Sequence, residues 1–180
     1  MIQLATCTIL RILVPVDGSK QSEKALEYAV KTLSPIKGDF NDVDIDKTLN
    51  KTTELFILHV LPQFAMPLGF ERPMRSSRTG EVISFSEYIN ELNEIFLDEW
   101  KCKLSDYAKK YESKDLLIKT KLLKPSESVV KTIIDVVDKE QIDLIVIGNV
   151  GLGGISKIRT LGSVSRSVSE MVKCPVIIIH

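Results

Sequence analysis

Short runs of apolar residues alternate along the chain with longer segments in which apolar positions recur every three or four residues. The short runs are rich in branched side chains and end at turn residues, which is typical of strands buried on both faces of a sheet. Four runs are clear, and they cover residues 9–16, 54–60, 143–147 and 175–179. A fifth run at 116–123 is more polar and contains Lys119 and Lys121, which favours a position at the sheet edge.

Four segments between these runs have the apolar spacing of amphipathic helices. The first is preceded by Ser19 and Ser22, which are candidate N-caps. The second covers residues 88–111, which corresponds to about seven helical turns. The third follows Pro125, a residue type tolerated at the first helical position, and the fourth follows Ser163 as its predicted N-cap. The simplest explanation of each apolar stripe is packing against a core.

Strand and helix alternate to the end of the sequence, which predicts an α/β fold with a mostly parallel sheet covered on both faces. With 180 residues and 44% hydrophobic content, one domain over residues 1–180 is expected. Two segments lie outside the alternation, at about 34–51 and 61–82. Both are polar or rich in proline and arginine, and we expect them to be surface loop insertions.

Charge and cysteine content narrow the class of protein. The chain has 24 basic and 24 acidic residues, so no overall field favours nucleic acid or an anionic membrane as a partner. No run of about 18 apolar residues is present, and a membrane span is not expected. Cys7, Cys102 and Cys174 are an odd number without a CxxC pair, which indicates a reducing and therefore cytoplasmic location.

The segment 148–163 holds five of the nine glycines and directly follows the predicted strand 143–147. Ligands of parallel α/β sheets bind outside the carboxyl ends of the strands, and a helix N-terminus offers free N–H groups to an anion. A two-part phosphate cradle is therefore predicted, formed by Gly148, Gly151, Gly162, Ser163 and Ser165. The P-loop and dinucleotide-binding signatures are both absent, so a loop that only turns the chain remains the alternative.

Several stretches together resemble the universal stress protein family. They are ILVPVDGS, LHV, DLIVIGNVG, LGSVSRSVSE and CPVIIIH, and the likeness covers nearly the whole chain apart from the two insertions. The family's nucleotide motif is Gly, two residues, Gly, nine residues, Gly and then Ser or Thr. Here ten residues separate Gly151 from Gly162, and the extra residue falls around 155–156. The resemblance implies a Rossmann-like, flavodoxin-like sheet of five parallel strands in the order 3-2-1-4-5.

The resemblance also implies an ATP-binding site, with ADP or AMP as possible alternatives to ATP and with Mg²⁺ on the phosphates. Asp17 would bond to ribose or base, and the Val60 backbone would meet the adenine edge. The implied nucleotide-binding residues are Pro15, Val16, Asp17, Val60, Ile147, Gly148, Gly151, Gly162, Ser163, Val164 and Ser165. Two alternatives stay open: Asp17 as a cap of the first helix, and His59 as a packed strand residue rather than a ligand.

The expected function is that of a nucleotide-binding sensor or partner-binding regulatory module in the stress response. No catalytic set and no metal-ligand cluster is recognised, so at most slow ATP hydrolysis is expected. The alternative is a nucleotide-free interaction protein on the same fold. The resemblance further implies a homodimer through the C-terminal strand, whose apolar residues would otherwise form an open edge, together with a protein partner that the sequence does not identify.

Overall fold

The computed structural model describes residues 9–33, 53–62, 72–113, 116–151 and 161–180. Within these residues the chain forms a five-stranded parallel sheet, four α-helices and a small antiparallel hairpin. The predicted insertion at 34–51 lies outside the described residues.

The elements follow one another in the predicted alternation. The sheet consists of β1 (Leu10–Pro15), β2 (Thr53–Val60), β5 (Leu116–Leu123), β6 (Leu144–Gly148) and β7 (Val176–Ile179). The helices are α1 (Lys20–Leu33), α2 (Phe85–Tyr111), α3 (Val129–Glu140) and α4 (Ser163–Met171). The hairpin strands are β3 (Met74–Arg75) and β4 (Val82–Ile83).

The strands of the sheet lie in the order β5-β2-β1-β6-β7, and all neighbouring pairs are parallel. When only these five strands are counted along the chain, this is the order 3-2-1-4-5. The predicted α/β class and sheet order are therefore confirmed, and β5 occupies the edge that its lysines indicated. The inner strand β2 is buried at all eight positions, which explains why its sequence is an apolar run without alternation.

Two apolar layers enclose the sheet. On one face, α1 contributes Ala25 and Leu26 and α2 contributes Leu104 to a cluster of buried side chains. On the other face, α3 contributes Ile133 and α4 contributes Val168 to a second cluster. The helical stripes recognised in the sequence thus pack against the sheet, and each fully buried aliphatic side chain stabilises the fold by about 1.5–3 kcal/mol.

Two helix starts differ from the sequence prediction. The third helix begins at Val129 rather than near Pro125, because Ser128 has extended backbone and its side chain accepts a hydrogen bond from the Lys131 N–H. The fourth helix begins at Ser163 itself, so Ser163 is the first helical residue and not the N-cap. Its N-cap is Gly162, whose extended backbone has φ −61° and ψ 157°.

The segment 61–82 was expected to be a loop, and its residues 63–71 lie outside the described part of the chain. The part after residue 71 leads through the β3–β4 hairpin. The hairpin is attached to α2 through Glu91, whose carboxylate accepts hydrogen bonds from Ser76 Oγ, Ser77 Oγ and the Arg78 N–H. An ion pair of 2.8 Å between Arg78 and Glu94 adds a second attachment of the hairpin to α2.

None of the described helices is long and apolar enough to cross a membrane.

Candidate functional site

The central strands separate at their carboxyl ends, and the separation begins at a proline. Consecutive residues of a strand direct their backbone groups to opposite neighbours. Because the Val16 N–H donates to Leu58 O of β2 at 2.8 Å, Pro15 faces β6. Proline has no N–H to donate, and the pairing of β1 with β6 ends at Leu13 and Ile145. An opening between β1 and β6 results, at the point where the strand order reverses.

A cavity of about 500 Å³ occupies this opening, a volume within the usual range of small-molecule sites. All eleven residues predicted from the sequence line it, namely Pro15, Val16, Asp17, Val60, Ile147, Gly148, Gly151, Gly162, Ser163, Val164 and Ser165. Further lining residues were not predicted from the sequence, namely Ser19, Ser22, Leu58, His59, Val129, Ile133 and Val150. The helical spacing of apolar residues in α3 predicted that Val129 and Ile133 are buried. That these two side chains also reach the cavity is visible only in the fold.

Asp17 lies at the junction of β1 and α1. Its Oδ1 accepts a hydrogen bond from the Ser19 N–H at 3.0 Å, and its Oδ2 lies against Gly151. The cap of α1 is Ser19, whose hydroxyl accepts a bond from the Ser22 N–H at 3.2 Å. Asp17 therefore supports the turn before the helix without being its cap, and its carboxylate also lines the cavity. Gly18 completes this turn with φ +84°, a conformation that favours glycine.

The two ends of the glycine stretch meet in the structure. The Gly162 N–H donates to Asn149 O at 2.7 Å, and the buried Ser165 hydroxyl donates to the same oxygen at 2.8 Å. The extra residue of the spacer falls within residues 152–160, which lie outside the described part of the chain. Its length nevertheless leaves Gly151 and Gly162 at one cavity.

The first turn of α4 lacks a side-chain cap among the described residues. Its N-cap, Gly162, has no side chain and makes no side-chain capping bond, so the early N–H groups of the helix lack that partner. Ser163 is exposed and lines the cavity. A helix N-terminus of this kind carries a partial positive charge, and an anion is the ligand it suits.

The glycines Gly148 and Gly151 are also required by packing. A Cβ on Gly148 would lie 2.8 Å from the backbone carbon of Gln21 and 2.9 Å from the Ser22 nitrogen. A Cβ on Gly151 would collide with Asp17 Oδ2. The absence of side chains at these two positions thus has causes within the fold, in addition to any ligand.

His59 is 95% buried, with 5% of its surface exposed, and it joins the cavity to α2. Its Nδ1 lies 2.7 Å from Val16 O, and its ring stacks on Trp100 with centroids 3.4 Å apart and planes at 8°. Burial lowers the pKa of His59 below its ordinary value of 6.5, although the bond to Val16 opposes this effect. Among the described residues, its Nε2 has no hydrogen-bond partner. The expectation that His59 is a packed residue agrees with this environment.

Few ionisable groups face the cavity. In the described lining they are Asp17 and His59. Within the same described ranges, no group of three or more His, Cys, Asp or Glu side chains is arranged to hold a metal ion. The lining is otherwise apolar side chains, hydroxyls and backbone, which suits binding through shape and hydrogen bonds.

Comparison with known proteins gives one consistent result. Universal stress protein YxiE of Bacillus subtilis is 28% identical over 170 residues, which cover 94% of this chain and 98% of YxiE. Universal stress protein MJ0577 of Methanocaldococcus jannaschii is 26% identical over 179 residues, 94% of this chain and 93% of MJ0577. The solved structure of MJ0577 aligns with a TM-score of 0.62 at 22% identity, covering 94% of each chain.

Two further solved structures have the same fold and contain nucleotides. One is the universal stress protein from Archaeoglobus fulgidus in complex with dAMP, with a TM-score of 0.50, 23% identity and coverage of 95% and 98%. The other is a universal stress protein family protein from Arabidopsis thaliana with AMP bound, with a TM-score of 0.51, 16% identity and coverage of 94% and 90%. The sequence profile of the Universal stress protein family matches residues 8–180, and the chain therefore belongs to that family.

Proposed function

We propose that the protein binds an adenine nucleotide in the cavity between β1 and β6. The observation that carries the proposal is the junction of two features in one cavity of about 500 Å³. One is the N-terminus of α4, which has no capping side chain. The other is the backbone at the end of β2, at Val60. The first suits phosphate and the second suits a base, and the cavity between them has the volume of a small-molecule site.

The parts of the nucleotide are assigned to parts of the lining. Phosphate oxygens accept hydrogen bonds from the first turn of α4 and from the Ser163 hydroxyl. The ribose or base bonds to Asp17, and the adenine edge lies against Val60. ATP is the proposed ligand, with ADP or AMP as competitors, and Mg²⁺ would be carried mainly on the phosphates. The AMP- and dAMP-bound structures of the same fold support the choice of an adenine nucleotide.

The proposed role is that of a stress-response sensor or partner-binding module in the cytoplasm, with ATP hydrolysis slow if it occurs. A nucleotide that binds one conformation of the protein more tightly shifts the population toward that conformation, and a partner protein would bind the favoured conformation.

We also propose a homodimer through β7, the half-buried edge strand of the sheet, since an apolar edge strand favours pairing with another chain. A monomer in sedimentation equilibrium would count against the dimer.

A nucleotide-free interaction protein is the second candidate. Two observations favour it: the Ser165 hydroxyl already donates to Asn149 O, and packing alone accounts for glycine at 148 and 151. On this hypothesis the family's glycine motif is retained for the fold, and phosphate is not held.

Thermal unfolding with and without millimolar ATP and Mg²⁺ separates the two candidates. Ligand at about 100 times its dissociation constant adds about 2.7 kcal/mol of stability, which raises Tm by about 5–11 °C for a chain of this size. The variant Ser163→Asp places a negative charge beside the phosphates and should lose that rise. Asp is favourable in the first turn of a helix, so the variant should fold normally.

The matched control is Ser169→Asp, which adds the same charge to the same helix at a position outside the cavity lining. We expect this variant to keep the rise in Tm. No rise in the wild-type protein at any ATP, ADP or AMP concentration up to several millimolar would refute nucleotide binding and favour the interaction protein.

A further inference from the structure

The Val16 carbonyl lies where the pairing of β1 with β2 stops. The ladder ends at Pro15 and Leu58, although the Val16 N–H still donates to Leu58 O. In a parallel ladder, the next bond would join the Val60 N–H to Val16 O. The structure has instead a bond from the His59 side chain to Val16 O at 2.7 Å.

This contact fixes the protonation of the imidazole. A carbonyl oxygen only accepts hydrogen bonds, so Nδ1 of His59 carries the proton in this contact. The ring cannot easily turn away, because it stacks on Trp100 with 3.4 Å between centroids. The position of the donor is thus held from two sides, by Val16 and by α2.

The direction of the Val60 backbone follows from its neighbour. The Leu61 N–H donates to Leu123 O of β5 at 2.8 Å, and consecutive residues of a strand face opposite neighbours. The N–H and C=O of Val60 therefore face the β1 side, where the cavity begins. Val60 is 9% exposed, and no backbone hydrogen bond joins its N–H to another described residue on that side. A buried N–H without a partner is costly, so this donor is suited to a ligand.

We propose that His59 is a positioning residue of the nucleotide site: its Nδ1–H takes the place of the Val60 N–H on the Val16 carbonyl and leaves the Val60 N–H for the ligand. This inference rests on the proposed nucleotide function. The N–H and C=O of Val60 then form a donor and acceptor pair that matches the ring nitrogen acceptor and amino donor at the edge of adenine. Guanine presents the opposite order at that edge, a carbonyl acceptor beside an N–H donor.

Two variants at one position separate the hydrogen bond from the ring stack. His59→Asn keeps an N–H donor at the place of Nδ1 but loses the stack on Trp100. His59→Phe keeps an aromatic ring for the stack but has no donor, so Val16 O is free to accept the Val60 N–H. Circular dichroism would first establish that each variant folds.

The first measurement needs no ligand. Through-hydrogen-bond NMR coupling between Val60 nitrogen and the Val16 carbonyl carbon should be absent in the wild-type protein and in His59→Asn. It should appear in His59→Phe, where the ladder extends by one bond. Detection of this coupling in the wild-type protein would overturn the proposal, and that result does not depend on whether either variant folds.

The second measurement is AMP binding by calorimetry. We expect His59→Phe to bind AMP about tenfold more weakly than the wild-type protein, which is the typical contribution of one hydrogen bond. His59→Asn should bind within about threefold of the wild-type protein, an effect below that of a hydrogen bond. Equal binding by His59→Phe and wild type, or weak binding by a folded His59→Asn, would each overturn the role of the Nδ1 donor.

The two measurements distinguish failure of this inference from failure of the proposed function. If the wild-type protein binds neither AMP nor ATP, nucleotide binding is wrong, and the role of His59 toward a nucleotide is overturned with it. The coupling measurement then still decides whether His59 displaces the Val60 N–H. If the wild-type protein binds AMP and the coupling is present, the nucleotide function stands and the role of His59 fails.

Discussion

Gly148 and Gly151 both line the cavity, but a methyl group at each would meet a different kind of obstacle. At Gly148 the nearest atoms belong to the backbone of α1, with the Gln21 carbon at 2.8 Å and the Ser22 nitrogen at 2.9 Å. Backbone in the first turn of a helix cannot move without displacing the helix. At Gly151 the obstacle is Asp17 Oδ2, the end of a side chain rather than helix backbone.

These obstacles predict opposite effects of Gly148→Ala and Gly151→Ala. Overpacking costs about 1–3 kcal/mol, and alanine recovers about 0.4–1 kcal/mol by restricting the unfolded chain. Because the obstacle at Gly148 is helix backbone, the overpacking cost should lie in the upper part of its range, about 2–3 kcal/mol. We therefore expect Gly148→Ala to lose about 1–2.6 kcal/mol net, which lowers Tm by about 2–10 °C for a chain of 180 residues. Gly151→Ala should change the free energy of unfolding by less than about 1 kcal/mol. It should instead weaken AMP binding, because the Asp17 carboxylate must leave its place.

Urea unfolding gives the free energy and calorimetry with AMP gives the affinity, so the two effects are measured separately on the same pair of proteins. Each variant is the control of the other, since both add one methyl group within one short segment. A Gly148→Ala variant as stable as the wild-type protein would contradict the α1 backbone as the obstacle at this position. A larger stability loss in Gly151→Ala than in Gly148→Ala would contradict it equally.

Three further predictions concern groups outside the glycine segment. Burial lowers the pKa of His59 in the folded protein from its ordinary value of 6.5. Below about pH 6.5 the unfolded chain therefore takes up a proton at His59 more readily than the folded chain. The free energy of unfolding should thus fall as the pH decreases from about 6.5. Urea midpoints between pH 7.5 and 5 should show this slope in the wild-type protein and not in His59→Asn. Glu54 is 7% exposed, and its carboxylate accepts a bond from Lys119 Nζ at 2.9 Å. Glu54→Gln should cost about 1–2 kcal/mol in urea unfolding, a value reduced because Lys119 is partly in water; an unchanged midpoint would contradict it. Glu91→Ala removes the acceptor of three hydrogen bonds between the β3–β4 hairpin and α2. Trypsin should then cut after Arg78 faster, while Tm changes by less than about 3 °C. An unchanged cleavage rate would contradict the attachment of the hairpin through Glu91.

The elements of the sheet could be predicted because their signals are local. An apolar run such as 54–60 needs no information from elsewhere to indicate a strand buried on both faces, and β2 has nearly those bounds. The lysines of β5 likewise indicated an edge. The order of the strands came from the resemblance to the family, since no local pattern in a run of apolar residues specifies its neighbour.

Predictions were wrong where two local signals competed or where the decisive contact was distant. Pro125 and Ser128 both favour a helix start, and the capping bond of Ser128 determines the actual one. The β3–β4 hairpin lies in a segment with loop composition, and its attachment to Glu91 joins residues 13 to 15 positions apart. Such contacts leave no periodic pattern in the sequence.

Gly148, Gly151 and Gly162 lie at one cavity, but the sequence could not say what each glycine is for. A ligand that approaches the backbone and a helix that approaches the backbone impose the same requirement, which is the absence of a Cβ. The difference lies in the neighbour, and for Gly148 that neighbour is α1, more than 120 residues earlier in the chain. His59 is ambiguous in the same way, because a buried ring stacked on Trp100 has the composition of a core residue. Its place in the cavity lining and its bond to Val16, 43 residues away, are visible only in the fold. The same is true of the Val60 N–H, which has no backbone partner among the described residues.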